Sequence, residues 1–295
     1  MNDIEKGKRL SDWYDKNYKT LIAISFTVTL VTIGYLIFFY FSTGDIMYKD
    51  VSLSGGTILT VNSGMDISPL EKSLPEGVSI RKLSELNTGK QIAFIIETNK
   101  DINEIKPLVE KYLGYTLTEE NSSIEFTGSS LSESFYKELR NAMLIAFVLM
   151  AIVIFFLFRT FIPAIAVIQA AVTDILVPLA VLDLMGFKVS GAGIAALLML
   201  IGYSVDTDIM LTNRALRKRE LKINDRIWNS FLTGITMTLT SLIAVLIAFF
   251  VVRNISSVLT EIFMILSLGL IVDIFSTWLG NAGLLKWYCE KKKIY

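Results

Sequence analysis

Histidine is absent from the 295 residues of this chain, cysteine occurs once and proline five times. The first absence removes the commonest proton carrier near neutral pH and the commonest ligand of transition metals. It speaks against a histidine-dependent hydrolase or a transition-metal enzyme, and no metal or cofactor is expected. Any proton chemistry is left to Asp, Glu, Lys or Tyr. A single cysteine, Cys289, excludes a disulfide framework within one chain. The formal net charge is zero, so no global basicity argues for nucleic acid as a partner.

What the chain has in quantity is apolar residues, 53% of the total, gathered in long blocks. A block of about 20 such residues spans a bilayer as a helix. Six can be drawn, at 21–41, 139–158, 162–184, 192–211, 227–252 and 259–285. Only Arg159 and Thr160 part the second from the third ahead of Pro163. Basic residues flanking short loops set orientation. Lys6, Lys8, Arg9, Lys16 and Lys19 precede the first block, Arg214, Arg217, Lys218, Arg219, Lys222 and Arg226 follow the fourth, and Lys286, Lys291, Lys292 and Lys293 close the chain. Together with Arg159 they fall on one side, opposed by only Lys188 and Arg253. The reading is a multi-pass protein of the cell membrane with both termini cytoplasmic. The first block is too long, and lacks the small-residue site, for a cleaved signal peptide; it reads as a retained signal-anchor. The organisation expected is a cytoplasmic N-terminal segment at 1–20, a first transmembrane helix at 21–41, an extracytoplasmic domain at 44–137, a five-helix bundle at 139–285 and a cytoplasmic tail at 286–295.

The polar stretch 44–137 reads as a folded module. A strand is predicted at 57–61 after the Gly55-Gly56 turn, and a helix at 67–74 behind Asp66 as cap. Strands follow at 78–83 and 91–97, parted by the Asn87-Thr88-Gly89 turn signal. A capped helix at 101–112, stopped by Gly114, and a strand at 123–126 complete it. The order β-α-β-β-α-β is that of the ferredoxin-like split unit. The module has no Cys or His and no nucleophile elbow, so it is expected to bind or support rather than catalyse.

The chemistry that stands out is acidic and lies in the apolar blocks. Gly202-Tyr203-Ser204-Val205-Asp206-Thr207-Asp208 sets two carboxylates in the fourth, while Asp174 and Asp273 lie near the middle of the third and sixth. An ionised side chain at the bilayer centre costs roughly 2.5–3.5 kcal/mol on the lenient insertion scale, so such residues face a bundle interior or a wet cavity. At about 1.5 Å rise per residue, Asp174, Asp206 and Asp273 fall within one or two turns of a common depth, where burial and mutual repulsion oppose full ionisation. They are candidate proton or ion carriers; alternatively they hold neighbouring helices together by hydrogen bonds. Asp208 points roughly 200° away from Asp206 on an ideal helix, which suits a local or interface role. Thr233, Thr236 and Thr240, at i, i+3 and i+7 in the fifth block, form a polar stripe that could face this layer. Gly191, Gly193 and Gly202 suit close helix approach. The basic connection 214–226 suits topology and contact with anionic membrane lipids.

These residues carry a resemblance. Ser54-Gly55-Gly56-Thr57 after the first block, the stretch 128–139 entering the second, Phe158-Arg159 at its end, Thr173-Asp174 in the third, and the run 202–208 followed by Arg214 resemble the SecF family in its archaeal form. The resemblance covers nearly the whole chain. It implies six spans forming an RND-like half, a ferredoxin-like extracytoplasmic domain, and a non-enzymatic part in protein export. The implied partners are SecD, the Sec translocase channel and secretory precursor proteins, with coupling to the proton gradient. The bacterial pattern differs: its Asp-Thr step coincides with Thr207, and its fifth-span arginine falls near Asn229, with Arg226 close by and outside the hydrocarbon. An RND-type small-molecule or lipid transporter half and a non-coupled scaffold of the translocase are the competing readings. An intramembrane aspartyl protease is disfavoured, since its Gly-x-Gly-Asp and Pro-Ala-Leu sequences are missing.

Overall fold

Six helices long and apolar enough to cross a membrane dominate the computed structural model, which describes residues 3–75, 77–85, 88–217 and 222–293. Asn87 of the predicted turn, and Lys218 and Arg219 of the basic connection, lie outside the described residues. The chain is a multi-pass membrane protein. Its spans are Trp13–Thr43, Ser129–Phe158, Phe161–Leu184, Gly191–Leu216, Ile223–Val252 and Ser257–Lys291.

In chain order the elements are α1 (Asp3–Thr43), α2 (Val51–Ser54), β1 (Gly56–Val61), α3 (Ser68–Ser73), β2 (Ser79–Ser84), β3 (Gln91–Thr98), α4 (Ile102–Leu113), β4 (Ser122–Thr127) and α5 (Ser129–Phe158). They continue as α6 (Phe161–Leu184), α7 (Gly191–Arg217), α8 (Ile223–Val252), α9 (Ser257–Phe275), a π-helical turn (Ser276–Asn281) and α10 (Ala282–Lys291). Several helices overrun the apolar blocks. A helix propagates through polar residues once nucleated, and hydropathy reads only its lipid-facing part. In α5 a Glu133–Lys137 pair at 2.7 Å braces the polar first turns ahead of the apolar stretch. Between α5 and α6, Arg159 turns left-handed at φ 51°, ending one helix so that Thr160 can begin the next.

The module is an antiparallel sheet in the order β2-β3-β1-β4, the split β-α-β-β-α-β arrangement. One face is packed under α3 and α4 by Leu59, Val61, Leu70, Phe94, Ile96, Ile105 and Val109. Asp101 caps α4 by accepting from the Asn103 amide at 2.9 Å, and Gly114 ends it with φ 76°. Asp66 accepts from the Ser68 amide at 3.2 Å at the start of α3.

The module is tied to the bundle at a polar joint. The Asp50 amide donates to Val189 O at 3.0 Å and the Val189 amide to Tyr48 O at 2.7 Å, stitching residues 48–50 to the α6–α7 loop. Asp45 meets Lys49 at 2.7 Å and accepts from Tyr136 Oη at 2.6 Å. Burial opposes charge on Asp45, but these partners and the Ile46 amide outweigh it and hold its carboxyl below the usual range. Asp50 caps α2, and burial there pushes its carboxyl above the ordinary value. A Cβ on Gly55 would come within 2.5 Å of Ser129 Cα, and one on Gly56 would collide with Thr98 O, so these glycines seat β1 against α5 and β3. From the other side, the Ser84 amide donates to Asn254 O at 2.6 Å in the α8–α9 loop.

At the end of the bundle away from the module, buried Lys286 ion-pairs with Asp15 and reaches Asn224 Oδ1 at 2.8 Å, joining α1, α8 and α10. Between the two ends α7 and α9 pack closely: a Cβ on Gly269 would stand 2.6 Å from Leu200 Cδ1. Gly269→Val should therefore overpack this crossing and cost about 1–3 kcal/mol. A lowered thermal-unfolding midpoint in detergent checks this, and an unchanged midpoint would contradict the close packing.

Candidate functional site

The bundle concentrates its acids in one buried layer. Asp174 on α6, Asp208 on α7 and Asp273 on α9 are all at most 1% exposed. Ser204 sits one turn before Asp208 on the same face of α7 and donates to Asp174 Oδ2 in a very short contact. Ser276 donates to Asp174 Oδ1 at 2.5 Å. Thr277 Oγ1 lies 2.9 Å from Asp208 Oδ1 and 3.3 Å from Asp273 Oδ1, and Asn281 Nδ2 donates to Asp208 Oδ1 at 2.6 Å. Thr238 of α8 reaches Asp273 Oδ2 at 3.4 Å.

The π-helical turn explains how one segment supplies so many donors. Its wider register is typical of functional sites in helices. It turns Ser276, Thr277 and Asn281 toward the acids, all three at most 3% exposed. Beside it, Gln169 Nε2 donates to Thr29 Oγ1 at 3.0 Å and Thr173 Oγ1 at 3.1 Å, and the two threonine hydroxyls meet at 2.7 Å. That zipper holds α1 to α6 next to Asp174.

Among the described residues no lysine or arginine forms an ion pair with Asp174, Asp208 or Asp273. Ser276 links two acids of the layer, donating to Asp174 Oδ1 and lying 3.2 Å from the Asp273 carbonyl oxygen. Such an arrangement can hold, release and hand on a proton or a small cation.

The predicted site residues divide. Asp174 and Asp273 meet in the layer, with Asp208 as the third acid. Asp206, expected at their depth, faces outward from α7 and is exposed, as is Gly202 one turn before it. The reason is angular: with 100° per residue, positions 204 and 208 share the inner face and 202 and 206 the outer. The threonine stripe also differs from expectation. Thr236 and Thr240 are exposed and donate back to the Leu232 and Thr236 carbonyls at 2.7 and 2.6 Å. Thr233 accepts from Arg214 Nη1 at 2.9 Å, and Arg214 also reaches Asn229 O at 3.2 Å. The α8 threonine that meets the acids is Thr238, and nothing in its spacing marks it apart from its neighbours. Arg226 is buried, with Nη1 on Ala215 O at 3.0 Å. Among the small residues, Gly193 abuts Glu261 and Gly191 abuts Phe135, whereas a Cβ on Gly202 would meet nothing within 4 Å. Gly55 and Gly56 lie at the module joint, far in the chain from the acids.

Thr277→Val keeps the side chain's shape but removes the hydroxyl beside Asp208 and Asp273. Leaving buried acceptors short of a donor costs about 1–3 kcal/mol, so a lower unfolding midpoint than wild type is expected. Equal midpoints would mean that this hydroxyl contributes nothing.

Comparison with known proteins adds a relationship. The sequence profile of the family "Protein export membrane protein SecD/SecF, C-terminal" matches residues 109–291. The chain is 37% identical over 279 residues to the protein-export membrane protein SecF of Methanocaldococcus jannaschii, covering 92% of this chain and 96% of that one. It is 32% identical over 297 residues to SecF of Methanothermobacter thermautotrophicus, covering 98% and 99%. Among solved structures, SecDF from Thermus thermophilus superposes with a TM-score of 0.72 at 20% identity, over 93% of this chain and 38% of that one. A SecDF in a super-membrane-facing form gives a TM-score of 0.61 at 20% identity, over 94% and 39%.

Proposed function

Because this chain belongs to the SecF family of protein-export membrane proteins, we propose that it works as one half of a SecD–SecF complex. The complex assists secretory proteins on the side of the membrane where the β-sheet module stands. Both termini then lie in the cytoplasm, in keeping with the basic residues around Lys16, Lys222 and Lys291. The role is non-enzymatic: the bundle holds and exchanges charge, and the module contacts the emerging chain or SecD.

The observation that carries this reading is an uncovered polar face. On α7, Leu200 and Ser204 turn toward α9 and α6, while Asp206 and Gly202 turn away and are exposed. On α8, Thr238 and Leu242 turn inward, while Thr236 and Thr240 turn away. Tyr203 bonds Ser241 Oγ at 2.5 Å and Arg214 bonds Thr233, so the two outer faces adjoin. A carboxylate set against lipid costs roughly 2.5–3.5 kcal/mol, and such a face is stable only under protein or water. A second six-span bundle related by a pseudo-twofold axis would cover it. That arrangement agrees with the chain matching only 38% of the SecDF chain from Thermus thermophilus. Gly202 then serves close approach between helices of the two bundles, and Asp206 works at the seam while Asp174, Asp208 and Asp273 work inside. Proton movement through these acids would drive the export step.

Two variants test the proposal. Gly202→Leu is expected to leave the isolated chain's unfolding midpoint unchanged and to lower co-purification with SecD; intact co-purification would remove α7 from the interface. Asp206→Asn keeps shape and hydrogen bonding but cannot ionise. Pulse-labelled export of a secretory precursor should slow markedly with assembly unchanged. Normal export would return Asp206 to packing and leave the chain a scaffold.

A further inference from the structure

Away from the acids, where α1 and α8 begin to cross the membrane beside the π-helical turn, a pocket of about 190 Å³ lies between them. Trp13 and Leu21 of α1, Asn224, Trp228 and Phe231 of α8, and Trp278 of the turn are among its walls. The rings are packed against one another: Trp228 stacks on Phe231 at 5.4 Å, and Phe231 meets Trp278 edge-on at 5.1 Å. Tyr14 Oη donates to Trp278 O at 3.2 Å, which fixes α1 to the turn.

The pocket has a direction. Trp13 and Ile223 are the first residues of their spans, so its mouth stands where headgroups meet hydrocarbon, the level at which Trp and Tyr gather. Leu21 and Phe231 lie about two turns deeper, roughly 10–12 Å at 1.5 Å per residue. Asn224, at the mouth, accepts from buried Lys286 through its Oδ1 at 2.8 Å, which leaves its amide hydrogens to donate. Lys16, one turn after Trp13, and Lys222, two residues before Asn224, are exposed and form no ion pair among the described residues. Of the acids beside them in the chain, Asp15 is ion-paired with Lys286 and Asp225 is exposed. Two free lysines against one carboxylate leave the mouth positive.

We infer that this pocket binds one anionic phospholipid of the leaflet away from the β-sheet module. One acyl chain runs between α1 and α8 along the rings, and the phosphate rests at the mouth among Lys16, Lys222 and the Asn224 amide. An apolar recess at this depth faces hydrocarbon, so a lipid chain is the filling it meets. A helix of a partner bundle, about 10 Å across with its side chains, is too wide to enter it. The headgroup supplies the selectivity, because each basic residue near the surface favours an anionic lipid by about fivefold. The buried indole N–H of Trp278 has no partner among the described residues, and the linkage oxygens of a lipid carry the acceptor that this wall lacks. The inference does not rest on the export reading above.

Three of the four tryptophans, Trp13, Trp228 and Trp278, line the pocket, so their fluorescence reports its occupancy. The full chain is placed in phosphatidylcholine bilayers in which brominated phosphatidylglycerol replaces a rising fraction of the lipid. Brominated phosphatidylcholine is the control. Saturable quenching is expected, half complete at a mole fraction roughly tenfold or more below that of the control. Lys16→Gln combined with Lys222→Gln should remove most of this difference while leaving the unfolding midpoint unchanged, since both positions are exposed. Leu279→Phe narrows the pocket without adding charge and should shrink the saturable part for either lipid. Should that variant not fold, the lysine pair decides. Equal curves for the two lipids, or a wild-type curve in either variant, overturn the site. Competition by free glycerol phosphate would make the ligand a soluble phosphate ester, and loss of quenching on addition of SecD would give the groove to a protein partner; either result also overturns it.

Discussion

Inside hydrocarbon no water stands ready to pair with a polar atom, so each buried group must find its partner within protein. That constraint organises this bundle. Asp174, Asp208 and Asp273 come from three helices, and Ser204, Ser276, Thr277, Asn281 and Thr238 come to meet them. The π-helical turn at Ser276–Asn281 is the local departure from regular geometry that makes the meeting possible. Among the described residues, the acids of the layer are met by neutral hydroxyl and amide donors.

The same constraint gives α7 two different faces. Its inner face is complete, because Ser204 and Asp208 are bound within the bundle. Its outer face, with Gly202 and Asp206, is exposed. In the proposed complex the partner bundle would cover that face. The polar joint at Asp45, Lys49, Asp50 and Val189, with the Ser84–Asn254 bond opposite, fastens the module to the ends of α5, α7 and α9. Any shift of α7 or α9 relative to one another would be felt there.

How much was legible beforehand follows from the physics of each feature. The spans were, because burial in lipid requires long apolar blocks. So was the module: alternating strands, capped helices and Gly114 are local signals, and the order of elements left one familiar topology. The relationship to SecF rested on short residue runs such as 202–208. The helix ends were less legible, since Ser129 through Lys137 continue α5 in polar residues that hydropathy does not count. The sequence marks Arg226 only as a basic residue ahead of the fifth apolar block, and its burial against α7 carries no local signal.

The sequence by itself determined the class, the number of spans, the ferredoxin-like module and the presence of acids at a common depth, because these depend on composition and on spacing along one segment. Only the tertiary structure decided which acids meet. The choice between Asp206 and Asp208 turns on which side of α7 packs against α6 and α9. The choice between Thr240 and Thr238 turns likewise on how α8 is rotated. Helix rotation is set by contacts between segments distant in the chain, Gly269 against Leu200 and Trp278 against Gly234 among them. A periodicity repeats around the helix, and it does not say which face the neighbour will choose.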